Sequence, residues 1–216
     1  MRFRQAITVI GLIAAFGLAS CSATPGSSSR LTEEIFSSAY GKSEDAGYAL
    51  PAIPIKKIDK RFHRQTVRYQ TTERRGTIIV DTSARHLYIV LQGGQAIRYG
   101  IAVGKDGFRW AGMADVSRKV MWPKWTPPPE MIKRKPELAQ WKDGMPGGPK
   151  NPLGARALYL FRDGRDTGYR IHGTTEPASI GKAASSGCIR MFNVDVIELY
   201  RRTPVGSRVL VYSEGL

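Results

Sequence analysis

Two side chains of complementary chemistry stand close together near the C-terminal end of the sequence. His172 lies in Ile171-His172-Gly173-Thr174, and Cys188 lies in Ser185-Ser186-Gly187-Cys188-Ile189-Arg190-Met191, sixteen positions on. A free thiol has a pKa near 8.5, so little of it is thiolate at neutral pH; an adjacent imidazole raises that fraction and later protonates a leaving amine. A thiolate–imidazolium pair stabilises both charges, which predicts a thiol pKa below the free value. The small residues before Cys188 leave a substrate room to reach it. The main-chain N–H groups of Gly187 and Cys188 are candidates to face a developing oxyanion. Arg190 is a candidate to bind a substrate carboxylate and to favour the thiolate. Each residue also has a plainer reading. A lone Cys is most often a small buried core residue, and a lone His a hydrogen-bonded structural group. A Cys/His metal site finds no support, because His63, His86, His172 and Cys188 lack metal-ligand spacing. No metal or other cofactor is expected.

The N-terminus bears on the fate of that thiol. Met1 to Arg4 carries two arginines, Ala6 to Ala19 is apolar apart from Thr8, and Leu18-Ala19-Ser20-Cys21 follows. A basic start, a short apolar run and small residues before a possible cut read as an export signal. The run is shorter than the roughly 20 residues a spanning helix needs. Leu18-Ala19-Ser20-Cys21 resembles the lipobox of bacterial lipoproteins, in which cleavage leaves a lipid-bearing cysteine at the mature N-terminus. The alternative is a plain secretory signal with Cys21 incidental. The chain has two cysteines. If Cys21 is acylated, Cys188 has no partner within the chain, and an unpaired thiol in an oxidising compartment is a liability unless buried or used.

The elements that must position the pair are read as mainly β. The 216 residues suit one domain of ordinary size, and 23 Gly with 13 Pro point to many turns. The net charge of +15 is spread along the chain and suits an anionic partner such as nucleic acid, a membrane surface or a cell-wall polymer, or else a protein that is merely basic. With no zinc-finger spacing, RNP-like segment or phosphate-binding loop, a nucleic-acid partner is not expected. Residues 1–20 read as the signal peptide, 21–75 as a flexible tether and basic arm, and 76–213 as the domain proper. Within the arm, Thr32 to Phe36 can open a short helix. Strands are expected at Thr77–Asp81, His86–Leu91, Ala96–Val103, Asp115–Trp122, Ala157–Phe161, Tyr169–His172 and Ser207–Tyr212. Gln92 to Gln95 makes a hairpin turn. Long loops run over Pro123–Pro129 and Lys142–Gly154. A helix is expected over Val194–Arg201, capped by Asn193, with Ile197 and Tyr200 on one face.

Taken together, the segments around His172 and Cys188 resemble the signature of the L,D-transpeptidases, the YkuD-like cell-wall enzymes. Ile180-Gly181, Asn193-Val194-Asp195, Leu199-Tyr200 and, upstream, Met145 to Pro149 with Asn151-Pro152-Leu153-Gly154 add to the likeness, which spans about Gly76 to Tyr212. The resemblance implies a β-sandwich-like domain with a short helix after the catalytic Cys and long loops around the cleft. It implies that Cys188 attacks the bond between residue three and the D-residue at four of a peptidoglycan stem peptide, and that carbapenems acylate the same thiol. His172 would be base and acid, and the Gly173 carbonyl would orient the imidazole. An acceptor amine then resolves the acyl-enzyme, supplied by a neighbouring stem, a D-amino acid or an outer-membrane protein. Two departures stand out: Ser186 occupies a position where most members have a second His, and Phe108 to Gly112 replaces a Thr-Pro-containing turn. The expected setting is the periplasm, with a lipid anchor on Cys21. Ser22 lacks the Asp associated with inner-membrane retention, which favours the outer membrane. Two rivals remain. Papain-like and NlpC-type peptidases place Cys before His, the reverse of the order here. A non-enzymatic wall-binding lipoprotein would leave Cys188 inert, and hydrolysis by the same fold stays open.

Overall fold

Short runs rich in β-branched and aromatic residues, such as Ile78 to Val80, Leu87 to Val90 and Val209 to Tyr212, form strands, whose successive side chains point to opposite faces. A computed structural model describes residues 38–104, 111–185 and 187–212. In chain order the strands are β1 (Ser43–Asp45), β2 (Tyr48–Leu50), β3 (Gln65–Arg68), β4 (Ile78–Asp81), β5 (His86–Val90), β6 (Gln95–Gly100), β7 (Val103–Gly104), β8 (Gly112–Met121), β9 (Arg156–Arg162), β10 (Arg165–His172), β11 (Ala183–Ser185), β12 (Ile189–Arg190) and β13 (Arg208–Tyr212). The helices are α1 (Pro129–Arg134) and α2 (Asn193–Arg202). Thr32 to Phe36 lies outside the described residues.

Nine strands form one mixed sheet in the order β12-β10-β9-β8-β13-β4-β5-β6-β3. The β10–β12 and β13–β4 pairs are parallel, and the other neighbours are antiparallel. Ile78, Val80, Leu87 and Ile89 from one half of the sheet share a single core with Leu158, Leu160, Ile171 and Ile189 from the other. The sheet therefore curls over its own face, which gives the expected mainly β, sandwich-like architecture. Ile79, Val90 and Leu210 alternate to the outer face and pack with Tyr69, Tyr88 and Tyr212.

Helix α2 follows the site and closes the core with Val196 and Leu199. The sequence reading put Ile197 and Tyr200 on one face of α2, but the two pack into different clusters. Tyr200 packs against the main core, whereas Ile197 joins Leu50, Trp122 and Ala155. Nor does Asn193 cap the helix: Phe192 occupies the cap position and no side chain accepts there.

Residues 38–75 fall in the span read from the sequence as tether and arm, yet they carry three strands of the fold. β3 pairs with β6 as an edge of the large sheet. The β1–β2 hairpin is anchored by Asp45, which takes two hydrogen bonds of 2.7 Å from Arg156 and one of 2.9 Å from Trp122. Tyr40 is buried and donates to Asp195 of α2. Arg64 also faces Asp195, at 3.3 Å. Burial pushes the Asp195 carboxyl up to about 7, with Arg64 and Tyr40 opposing. These three strands are three or four residues long, too short to show a period.

The Asp45–Arg156 pair makes a stability prediction. Both side chains are buried, and burial of an unpaired guanidinium is costly. Asp45→Ala is expected to lower the unfolding free energy by about 3 kcal/mol. Combining it with Arg156→Met should lose much less. Urea titration of both variants checks this, and equal losses would show that the ion pair does not couple the hairpin to the sheet.

Candidate active site

His172 ends β10, and Cys188 stands one residue before β12. The two strands pair in parallel, with Ile171 opposite Ile189 and His172 opposite Arg190. Ile171 and Ile189 are fully buried in the core. Alternation then sets Arg170, His172, Cys188 and Arg190 on the opposite face. One position earlier in this register Cys188 falls beside Arg170, whose main chain hydrogen-bonds the thiol. Thiol and imidazole are thus diagonal neighbours on one face of a strand pair.

His172 is 5% exposed, and Cys188 is half-buried. The imidazole Nδ1 lies 2.6 Å from the Gly173 carbonyl oxygen. A carbonyl only accepts, so Nδ1 carries the hydrogen and Nε2 keeps its lone pair. This is the contact expected of an orienting carbonyl. His63 and His86 lie elsewhere, each against a main-chain carbonyl, of Ile58 and Arg61 respectively.

The electrostatics run against the ion pair expected from the sequence. Burial pushes His172 down to about 4; the main chains of Gly173 and Leu153 oppose this, while Arg190 and Arg170 add to it. Burial pushes the Cys188 thiol up, against the pull of the Arg170 main chain and of both arginines. Both shifts favour a neutral thiol beside a neutral imidazole. The lowered thiol pKa is therefore corrected to a raised one. Residue types and spacing carry no measure of desolvation, and desolvation is the largest cause at both groups.

Gly187 has φ +121, where an L side chain is strained, and the space beside it is open. Its glycine is required by the backbone rather than by crowding. Arg190 does not stand free for a carboxylate: Nη1 lies 2.9 Å from Glu176 Oε2. Ser186, Cys21 and Phe108 to Trp110 lie outside the described residues, so the two departures near the cleft and the lipidation site have no structural account. Among the described residues no cluster of three His, Cys, Asp or Glu is placed to hold a metal.

The sequence reading gave Arg170, Asn151 and Asn193 no role at the site. Arg170 is bidentate to Asp166 and lies 4.3 Å over the Tyr159 ring, beside the thiol. Its position two residues before His172 on a strand was the available signal. Asn151 is fully buried; it donates to the Pro123 and Pro146 carbonyls and accepts from Leu153 N–H, shaping the loop whose main chain faces His172. Asn193 binds the segment after His172. A cavity of about 100 Å³ adjoins the site beyond Thr174, walled by Leu50 to Ile53 on one side and Phe192 to Val194 on the other.

Residues 75–211 match the model of the YkuD family, the L,D-transpeptidase catalytic domain, and the chain belongs to that family. A putative L,D-transpeptidase in the ATP synthase subunits region (ORF 5) of Fuscovulum blasticum is 38% identical over 136 residues, which cover 62% of this chain and 68% of that protein. The probable L,D-transpeptidase ErfK/SrfK of Escherichia coli (strain K12) is 34% identical over 152 residues, covering 66% of this chain and 46% of that one. The chain thus spans about two thirds of the first relative and under half of the second. Among solved structures, a probable carnitine operon oxidoreductase caia from Brucella melitensis is 48% identical, covering 74% of this chain and 99% of that chain, with a TM-score of 0.50.

Proposed function

We propose that the chain is a peptidoglycan L,D-transpeptidase whose nucleophile is Cys188 and whose base is His172. The observation that carries this is the pairing of β10 with β12, which sets thiol and imidazole on one face while Gly173 holds Nδ1–H. The neutral resting pair makes the first step a general-base attack. The Cys188 sulfur bonds to the carbonyl carbon of residue three as Nε2 of His172 takes the thiol proton. The N–H groups of Gly187 and Cys188 receive the oxyanion. The C–N bond to the D-residue breaks, and the imidazolium returns its proton to the departing amine. An acceptor amine then attacks the thioester, loses a proton to His172, and frees the thiol. For Arg190 to bind the carboxylate of the departing D-residue, it must exchange its ion pair with the exposed Glu176 for one to the substrate. No metal or other cofactor takes part. The test is mass spectrometry of purified stem peptides incubated with the protein. Loss of the D-residue together with a new amide to an added amine supports transfer. Loss with water alone makes the protein a hydrolase, and no change with intact fold removes the reading.

The same reading places the protein in the periplasm, held to the outer membrane by lipid on Cys21. The support is Leu18-Ala19-Ser20-Cys21 and the Ser/Pro/Gly-rich stretch after it. One acyl chain binds a membrane only marginally, so stable anchoring implies several chains on the mature terminus. Cys21→Ser is expected to move the protein from the membrane to the soluble fraction, with the purified protein's activity unchanged. Labelled fatty acid that never enters the wild-type protein would refute the anchor.

A further inference from the structure

We propose that Asn193 is a positioning residue that aims the His172 imidazole through the Gly173–Thr174 peptide; this rests on the reading of His172 as base. Asn193 opens α2, yet its side chain does not serve its own helix. Its Oδ1 accepts from Ala155 N–H at 3.0 Å and from Thr174 N–H at 3.2 Å, and its Nδ2 donates to the Thr174 carbonyl at 3.0 Å. The carboxamide therefore ties the end of β10 to α2 and to the turn before β9. A peptide unit is planar and trans, so its N–H and C=O point in opposite directions. Holding the Thr174 N–H on Asn193 turns the Gly173 carbonyl of the same unit the other way, where it meets His172 Nδ1 at 2.6 Å.

The fit around the carboxamide is close on both sides. A Cβ at Gly154 would lie 2.2 Å from Asn193 Oδ1, and one at Gly173 would lie 2.1 Å from it. Neither segment can carry a side chain and keep Asn193 where it is. An Asn at this point commonly caps a helix, and that contribution is forgone here. The side chain is used on the segment bearing the base instead.

The consequence is a single imidazole tautomer, with the hydrogen on Nδ1. The test pairs ¹⁵N NMR of the labelled His172 ring with steady-state kinetics on stem peptides. Wild type is expected to show Nδ1 protonated and Nε2 bare. Asn193→Ala is expected to mix the tautomers and to lower kcat on the order of 10²-fold with KM little changed, the cost of a misaimed group. Asn193→Asp keeps the accepting oxygen and should restore one tautomer and most of kcat. If Asn193→Ala does not hold a folded state by near-ultraviolet circular dichroism, Asn193→Ser is read in the same way, since its hydroxyl is too short to reach Thr174. A wild-type tautomer pattern and rate in Asn193→Ala, or unfolding of both variants, overturns the positioning role. His172→Ala is measured alongside. If it keeps wild-type turnover, His172 is not the base; the tautomer result still reports on Asn193.

Discussion

Cys188→Ala is expected to reduce turnover of stem peptides on the order of 10⁴-fold or more, because the proposed mechanism forms its acyl intermediate on that sulfur. The fold should survive. Cys188 is half-buried and lies outside the main core, so the change removes one sulfur from a site that already opens to substrate. A carbapenem supplies the direct readout, since it acylates the nucleophile without needing an acceptor. Mass spectrometry of the digested wild-type protein should show the adduct on the peptide containing Cys188, and the alanine variant should show none. Normal turnover without an adduct on Cys188 would remove it as nucleophile. Loss of the adduct with turnover retained would do the same.

His172→Ala should cost on the order of 10³-fold in turnover, the contribution of one group acting as base and then as acid. Its effect on the thiol itself has the opposite sign from that of a simple ion pair. With His172 held down to about 4, the ring is neutral across the working range, so its removal takes no positive charge away from the sulfur. The cavity left behind admits water and relieves the burial that pushes the thiol up. The pH midpoint of Cys188 alkylation is therefore expected above the free-thiol value in wild type, and unchanged or lower in His172→Ala. A midpoint that rises on removing the imidazole would show that the resting site is a thiolate–imidazolium pair. Equal turnover in both proteins would make His172 structural and send the search for the base elsewhere.

Much of the chemistry was legible in the chain because it rests on local features. Small residues and a glycine before Cys188, and a strand ending at His172, can be read from neighbours in sequence. What the chain did not report is which residues of the continuous apolar runs Ile78 to Val80 and Val209 to Val211 face the main core; Ile79 and Leu210 turn to the outer face. The edge strand β3 and the β1–β2 hairpin gave no strand signal. They are three or four residues long, and what holds them is distant: Arg98 to Gln95 opposite β3, and Arg156 with Trp122 around Asp45. Asn193 illustrates the same limit. Its type and place before a helical stretch suited a cap, and only the approach of Gly154 and Gly173 redirects its side chain.

From the sequence alone came the candidate pair His172 and Cys188, the mainly β class and most strands of the large sheet, because composition and motif spacing depend on near neighbours. The tertiary structure alone decided how those residues stand toward one another. The parallel register of β10 with β12 sets Cys188 beside Arg170 and diagonal to His172, and no local pattern specifies a register between strands separated by a loop. It also decided the protonation of the site. Burial is a property of everything packed around a group, and here it works against the charged form of both the thiol and the imidazole.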